Sequence, residues 1–256
     1  MAMYRIDLNC DIGEGFGIYS FGQDKELLGL ITSANIACGF HAGDPNQMFN
    51  TVKMCLEHDV AIGAHPGYPD LPGFGRRSME FDYDEIRNMI LYQAGALAAI
   101  AGSLGGKVEH IKPHGELYNT ALRNDGVAAA VVDAVAGLKG PALVMMAGSK
   151  IVEMAQKRGV KVIHEGFADR NYGSDRTLLS RKFADAVIND PERAASRVIR
   201  MIKENRVDCC NGSDMPLYAD TICVHSDNKN AVNILKQIRK ELDRNNVQLL
   251  KPSHEL

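Results

Sequence analysis

The sequence predicts an α/β fold: a seven-stranded, distorted or incomplete TIM-like (β/α) barrel, with residues 1–256 forming a single domain. Three observations lead there. Short β-rich runs alternate with amphipathic helical stretches along the chain, the pattern of parallel strands joined by helical crossovers. Seven such runs can be counted, one fewer than the eight of the common closed barrel. Ionisable residues gather at the carboxyl ends of these runs, where α/β folds bind ligands. An open doubly wound sheet is the competing arrangement.

Strand one is read at Arg5–Cys10. Its side chains alternate, so Ile6, Leu8 and Cys10 share one face and Asp7, Asn9 and Asp11 the other, with Glu14 just beyond in a Gly-rich turn. Three polar residues on one face of a parallel strand are costly to bury unless that face lines a site. Strand two, Ser33–Ala37, leads into His41, and Asp44-Pro45 caps a helix over Asn46–His58. Strand three, Ala61–Ala64, leads into His65 and a Pro/Gly loop from Pro66 to Arg77, whose Arg76 and Arg77 can offer cations to an anion. A helix over Asp84–Leu104 precedes strand four, Glu109–Lys112, which runs into Pro113-His114-Gly115.

A helix at Gly126–Leu138 and the pair Gly140-Pro141 lead to strand five, Ala142–Met146. Its apolar end, Met145-Met146, is expected to form a wall of the pocket. After a helix at Lys150–Arg158, strand six is read at Lys161–Glu165 and ends on Glu165, with Asp169 and Arg170 soon after. Asp190-Pro191 caps a helix to Asn205. Strand seven, Thr221–Val224, ends at His225, and Asp227 is the expected cap of the last helix, Lys229–Asn245. His58, His110, His164 and His254 are assigned to packing or surface positions.

Composition narrows the function. Lys and Arg number 29 against 32 Asp and Glu, a formal net charge of -3, which removes the basic footprint of a nucleic-acid binder. Aromatic residues make up 6% and Trp is absent, so base-stacking platforms are not expected. No apolar run is long enough for a membrane span and no export signal opens the chain, so a cytoplasmic location is expected. The six cysteines form no CxxC pair and read as reduced thiols. A P-loop, a Gly-x-Ser-x-Gly elbow and a dinucleotide fingerprint are all missing. General acid–base chemistry by carboxylates and histidines remains, with or without a metal.

Asp7-Leu8-Asn9-Cys10-Asp11-Ile12-Gly13-Glu14-Gly15-Phe16-Gly17 resembles the N-terminal signature of the LamB/YcsF family. Ser33 through Pro45, His65 through Arg77, Lys112-Pro113-His114-Gly115 with Leu117-Tyr118-Asn119, Phe167-Ala168-Asp169-Arg170 with Tyr172 and Asp175, and Cys223-Val224-His225 resemble its later blocks. Cys10, Glu116, Gly166, Arg176, Ser180 and Ser226 depart from the family pattern. Glu116 is expected to add a carboxylate near Lys112 and His114.

The resemblance implies a barrel similar to that of polysaccharide deacetylases, and the A component of a bacterial 5-oxoprolinase working with subunits B and C. It implies opening of the lactam of 5-oxo-L-proline to L-glutamate, with ATP and its Mg²⁺ as cofactor. On that reading Asp11 and His65 activate water. Asp7, Asn9 and His41 orient them or hold Mg²⁺, with Asp11, His41 and His65 as the metal candidates. Lys112 and Arg170 neutralise anionic charge. His114, Glu165 and His225 are proton donors or supporting partners, and Glu14 and Asp169 are placed among the orienting residues. Two other readings stay open: a stand-alone metal-dependent deacetylase or amidase acting on a small carbohydrate, and a non-catalytic ligand-binding subunit.

Overall fold

A computed structural model of the chain describes residues 4–19, 23–173 and 177–252. Asp175, Arg176 and His254, named above, lie outside the described residues. The elements run β1 (Tyr4–Ile12), α1 (Asp24–Leu28), β2 (Ser33–Ala37), α2 (Pro45–Glu57), β3 (Ala61–His65), α3 (Tyr83–Ser103), β4 (Val108–Ile111), α4 (Gly115–Arg123), α5 (Asp125–Leu138) and β5 (Ala142–Met146). They continue with α6 (Lys150–Lys157), β6 (Val162–Phe167), α7 (Pro191–Glu204), β7 (Arg206–Asp208), β8 (Asp214–Pro216), β9 (Thr221–Cys223), α8 (Ala231–Arg244) and β10 (Val247–Leu249).

Seven parallel strands form the ring in the order β1-β2-β3-β4-β5-β6-β9, and β9 pairs with both β6 and β1. The barrel therefore closes with one strand fewer than eight. All seven predicted strands are members of that ring. β10 runs beside the start of β1, and β7 and β8 form a separate antiparallel pair. Among the described residues, no helix is long and apolar enough to cross a membrane.

The alternation read in β1 holds. Ile6, Leu8, Cys10 and Ile12 are fully buried in the apolar layer between barrel and helices. A large aliphatic side chain buried there contributes about 1.5–3 kcal/mol. Asp7, Asn9 and Asp11 are buried too, pointing into the barrel, and their cost is offset by hydrogen bonds described below.

Helix starts follow local chemistry. Asp44 accepts from the Asn46 and Gln47 amides before Pro45, and Asp190 accepts from the Arg193 amide before Pro191. On α3, Ile86, Ile90, Gln93, Ala94, Leu97 and Ala101 recur at helical spacing and are buried. Gln93 clasps the loop after β3, accepting from Gly67 N and donating to Gly67 O, both at 3.0 Å.

Some expectations change. The last helix is capped at Asn230 rather than Asp227, because Asp227 is engaged by Arg76 and Arg181. β6 continues past Glu165 to Phe167. Met145 and Met146 sit in the apolar core and do not line the cavity. The short elements α1, α4, β7, β8 and β10 were not anticipated.

Candidate active site

The barrel interior is polar and layered. At the deepest level the Asp7 carboxylate accepts from Thr32 and Ser33 at 2.6 and 2.7 Å, and from Thr221. Burial pushes its pKa up to about 6, against the pull of those hydroxyls. Its oxygens are thus occupied within the barrel, below the cavity, rather than turned toward a ligand. Asn9 donates to Thr221 and accepts from Asn35, which also donates to Asp11 at 2.9 Å. His110 Nε2 reaches Asn35 Oδ1 at 2.9 Å. The neighbouring strand β3 makes room for that ring: a Cβ on Gly63 would lie 2.0 Å from His110 Nε2.

Lys112 rises through this layer. Its Nζ lies 2.8 Å from Glu165 Oε1 and 3.1 Å from each of Asp11 Oδ1, Asn9 Oδ1 and Cys223 Sγ. Burial opposes its charge, but Asp11, Cys223 and Glu165 more than offset this and hold its pKa well above the usual lysine value. Asp11 shows the converse. Burial raises it, yet His65 and Lys112 keep its carboxyl well below the usual range. Both groups are therefore ionised near neutral pH. Glu165 is fully buried one step below the cavity, where Tyr118 donates to it at 2.9 Å.

Above Lys112 the strand ends carry a histidine cluster. His65 Nδ1 donates to Lys112 O at 2.7 Å, which leaves Nε2 facing Asp11 Oδ1, 3.4 Å away. His114 Nε2 is held by Phe74 O at 2.8 Å, and its Nδ1 lies 2.9 Å from His65 Nε2. His41 stacks flat on His114 at 3.7 Å, and burial together with His114 and His65 pulls its pKa well down. Glycines seat these rings. A Cβ on Gly67 would come within 2.6 Å of His41 Nδ1, and one on Gly75 within 2.8 Å of both His41 and His114. Glu14 accepts from Ser226 at 2.7 Å, and burial beside Asp11 pushes its pKa up to about 8.

On the far side His225 Nδ1 pairs with Asp169 Oδ1 at 2.8 Å and stacks on Phe167. Burial raises Asp169, but His225 and Asn228 outweigh it and keep the carboxyl low. Asp169 thereby orients His225.

A cavity of about 580 Å³ opens above the cluster, with Asp11, His65, Lys112, His114 and His225 among its lining. Phe167, Leu122, Leu178 and Leu179 supply its apolar wall in place of the expected methionines. Arg76, Arg123, Arg170, Arg181 and Lys182 supply cations. Arg170 is largely buried and donates to Ala186 O and Leu179 O; burial and Arg181 lower its pKa to about 10. Arg77, by contrast, turns to Asp70.

Glu116 lines the cavity but pairs with Arg123 at 2.7 Å rather than with Lys112 or His114. Cys38 is buried with its thiol donating to Ile36 O, and burial pushes its pKa up to about 12, which disfavours a thiolate. Sequence reasoning missed Thr32, Ser33, Asn35, His110, Tyr118, Thr221 and Ser226. The alternation used for β1, applied to β2 and β4, finds Ser33 with Asn35 and His110 with Lys112 on inward faces.

Comparison with known proteins gives the family and the fold of this chain. The model of the LamB/YcsF family matches residues 6–256. A protein of Alkaliphilus metalliredigens, named as the A component of 5-oxoprolinase, is 49% identical over 249 residues, covering 97% of each chain. The crystal structure of a lactam utilization protein from Thermus thermophilus is 40% identical, with a TM-score of 0.91 over 96% of this chain and 99% of that one. The catalytic domain of a peptidoglycan N-acetylglucosamine deacetylase from Eubacterium rectale shares the fold at 12% identity, with a TM-score of 0.52 over 98% of this chain and 90% of that one.

Proposed function

The chain belongs to the LamB/YcsF family, and on that premise we propose that it is the A component of a 5-oxoprolinase, opening the lactam of 5-oxo-L-proline to give L-glutamate. Near-full-length identity of 49% to a protein of that name supports the assignment. The observation that carries the chemistry is the ionised Asp11, held between Lys112 and His65 at the cavity floor.

A five-membered lactam is a stable amide, so its carbonyl carbon needs activation before water attacks. In this reading ATP, carried with Mg²⁺, transfers a phosphoryl group to the lactam oxygen and leaves as ADP. The chain carries no P-loop motif, which supports placing nucleotide binding on partner subunits B and C. Water then adds to the activated carbon. Its proton passes to the Asp11 and His65 pair, which is held by the Lys112 carbonyl on His65 Nδ1 and by the Lys112 ammonium on Asp11. Collapse of the adduct breaks the ring C–N bond, and the nitrogen takes back the proton held by the Asp11 and His65 pair or receives one from the His225 side of the cavity. A second water cleaves the remaining acyl phosphate to glutamate and inorganic phosphate.

The substrate carboxylate needs a cation. Lys112 is already shared between two carboxylates, so Arg170 on the cavity wall, which donates to backbone carbonyls, is better placed for that role. The test is mass-spectrometric detection of glutamate from 5-oxoproline and ATP, with this chain alone and with its partner subunits. Glutamate from the assembled complex supports the reading, and none under either condition refutes it.

A further inference from the structure

We propose that Glu14, His41, His65 and His114 form a binding site for one divalent first-row transition-metal ion of the zinc and cobalt class. One donor atom from each of these four buried residues lies within 4.8 Å of the others.

The hydrogen bonds supply an independent argument. His65 Nδ1 donates to Lys112 O and His114 Nε2 donates to Phe74 O. Each backbone carbonyl can only accept, so each ring must place its proton there. The neutral rings then turn two lone pairs, His65 Nε2 and His114 Nδ1, toward one another at 2.9 Å. Two lone pairs at that distance repel unless something positive lies between them. A shared proton relieves this one contact but does nothing for His41, where neither buried ring nitrogen has a hydrogen-bond partner among the described residues. A metal ion relieves that contact and also takes up one of the two His41 nitrogens. At metal–nitrogen distances of about 2.1 Å, neighbouring ligands in a tetrahedral shell are roughly 3.4 Å apart, a small opening from the 2.9 Å seen here.

The arrangement beyond the ligands also suits an ion. Both hydrogen-bonded histidines have the carbonyl contact on the far nitrogen that orients metal-binding imidazoles. Ser226 steadies Glu14 at 2.7 Å, and Gly67 and Gly75 leave room for the rings. Three imidazoles and a carboxylate select a transition ion over Mg²⁺ or Ca²⁺, which require oxygen ligands. The ligand set differs from the Asp11, His41 and His65 triad expected from sequence. Asp11 Oδ1 is engaged by Lys112 and Asn35, and Glu14 takes its place. Occupation of the site uses the His65 lone pair and leaves Asp11 as the nearby proton acceptor.

The test uses the untagged, chelator-stripped full chain, with Co²⁺ and Zn²⁺ as probes. Isothermal titration and elemental analysis give stoichiometry and affinity, and the Co²⁺ absorption spectrum reports the ligand environment. About one equivalent per chain is expected. Outer-shell changes alone commonly cost 10–100-fold in affinity, so His41→Ala and the isosteric Glu14→Gln should each weaken binding by about 100-fold or more. Asp11→Asn should change it less than about tenfold. Circular dichroism confirms that each variant is folded. Failure of the wild type to take up either ion overturns the proposal, as does unchanged affinity in folded Glu14→Gln or loss of binding in Asp11→Asn. No readout depends on lactam turnover, so the outcome is separate from that of the functional reading.

Discussion

The ammonium of Lys112 lies 2.8 Å from the Glu165 carboxylate, with both side chains buried in the barrel interior. The contact holds one end of a charge chain that continues through Lys112 to Asp11. Removing the lysine strands two carboxylates away from water, so Lys112→Met should cost about 3–5 kcal/mol of stability. Glu165→Gln should recover part of that loss in the double variant, because the second stranded charge is gone. Denaturant titration of both singles and the double checks this, and strictly additive losses would contradict it.

Asp7 makes stability depend on pH. Its folded pKa is raised from 3.8 to about 6 by burial. The folded chain therefore holds this proton more tightly than the unfolded chain. The resulting stabilisation is complete below pH 3.8 and is lost as pH rises through about 6. Asp7→Asn removes the titration. Relative to wild type, the variant should gain on the order of 2–3 kcal/mol as pH climbs across that window. A constant difference from pH 4 to 7 would show that Asp7 does not titrate there.

Arg170 is the largely buried cation of the cavity wall. In the assembled complex, Arg170→Gln should raise KM for 5-oxoproline by roughly tenfold or more, with a smaller fall in kcat. A fall in kcat with KM unchanged would place this residue elsewhere in the reaction.

Gly67 tests the seating of the histidines. A methyl group there would meet His41 Nδ1 at 2.6 Å, and the residue is not in the left-handed region. Gly67→Ala should therefore displace His41 by steric pressure alone. About 1–3 kcal/mol of stability should be lost, together with most turnover. Wild-type activity in the variant would mean that His41 need not stay where it is.

Much of this was legible in the chain because its signals are periodic. The alternation of Asp7, Asn9 and Asp11 with Ile6, Leu8 and Cys10 marked β1 as polar on one face, and the structure turns that face inward. His41, His65, His114 and His225 fell at strand ends because parallel strands in a barrel share one carboxyl edge. What the sequence did not disclose depends on contacts between distant segments. Asp227 looked like a helix cap until Arg76 and Arg181 were brought beside it. Met145 and Met146 looked like a pocket wall, but the chain after β6 supplies Leu178 and Leu179 instead.

The central claim is that the Asp11 and His65 pair performs the hydrolytic step. Glutamate formation should be measured in the complex assembled with Asp11→Asn and compared with wild type, alongside circular dichroism of the variant chain. Turnover should fall by about 100-fold or more while the fold is retained. Near-normal glutamate formation by a folded Asp11→Asn complex would contradict the account.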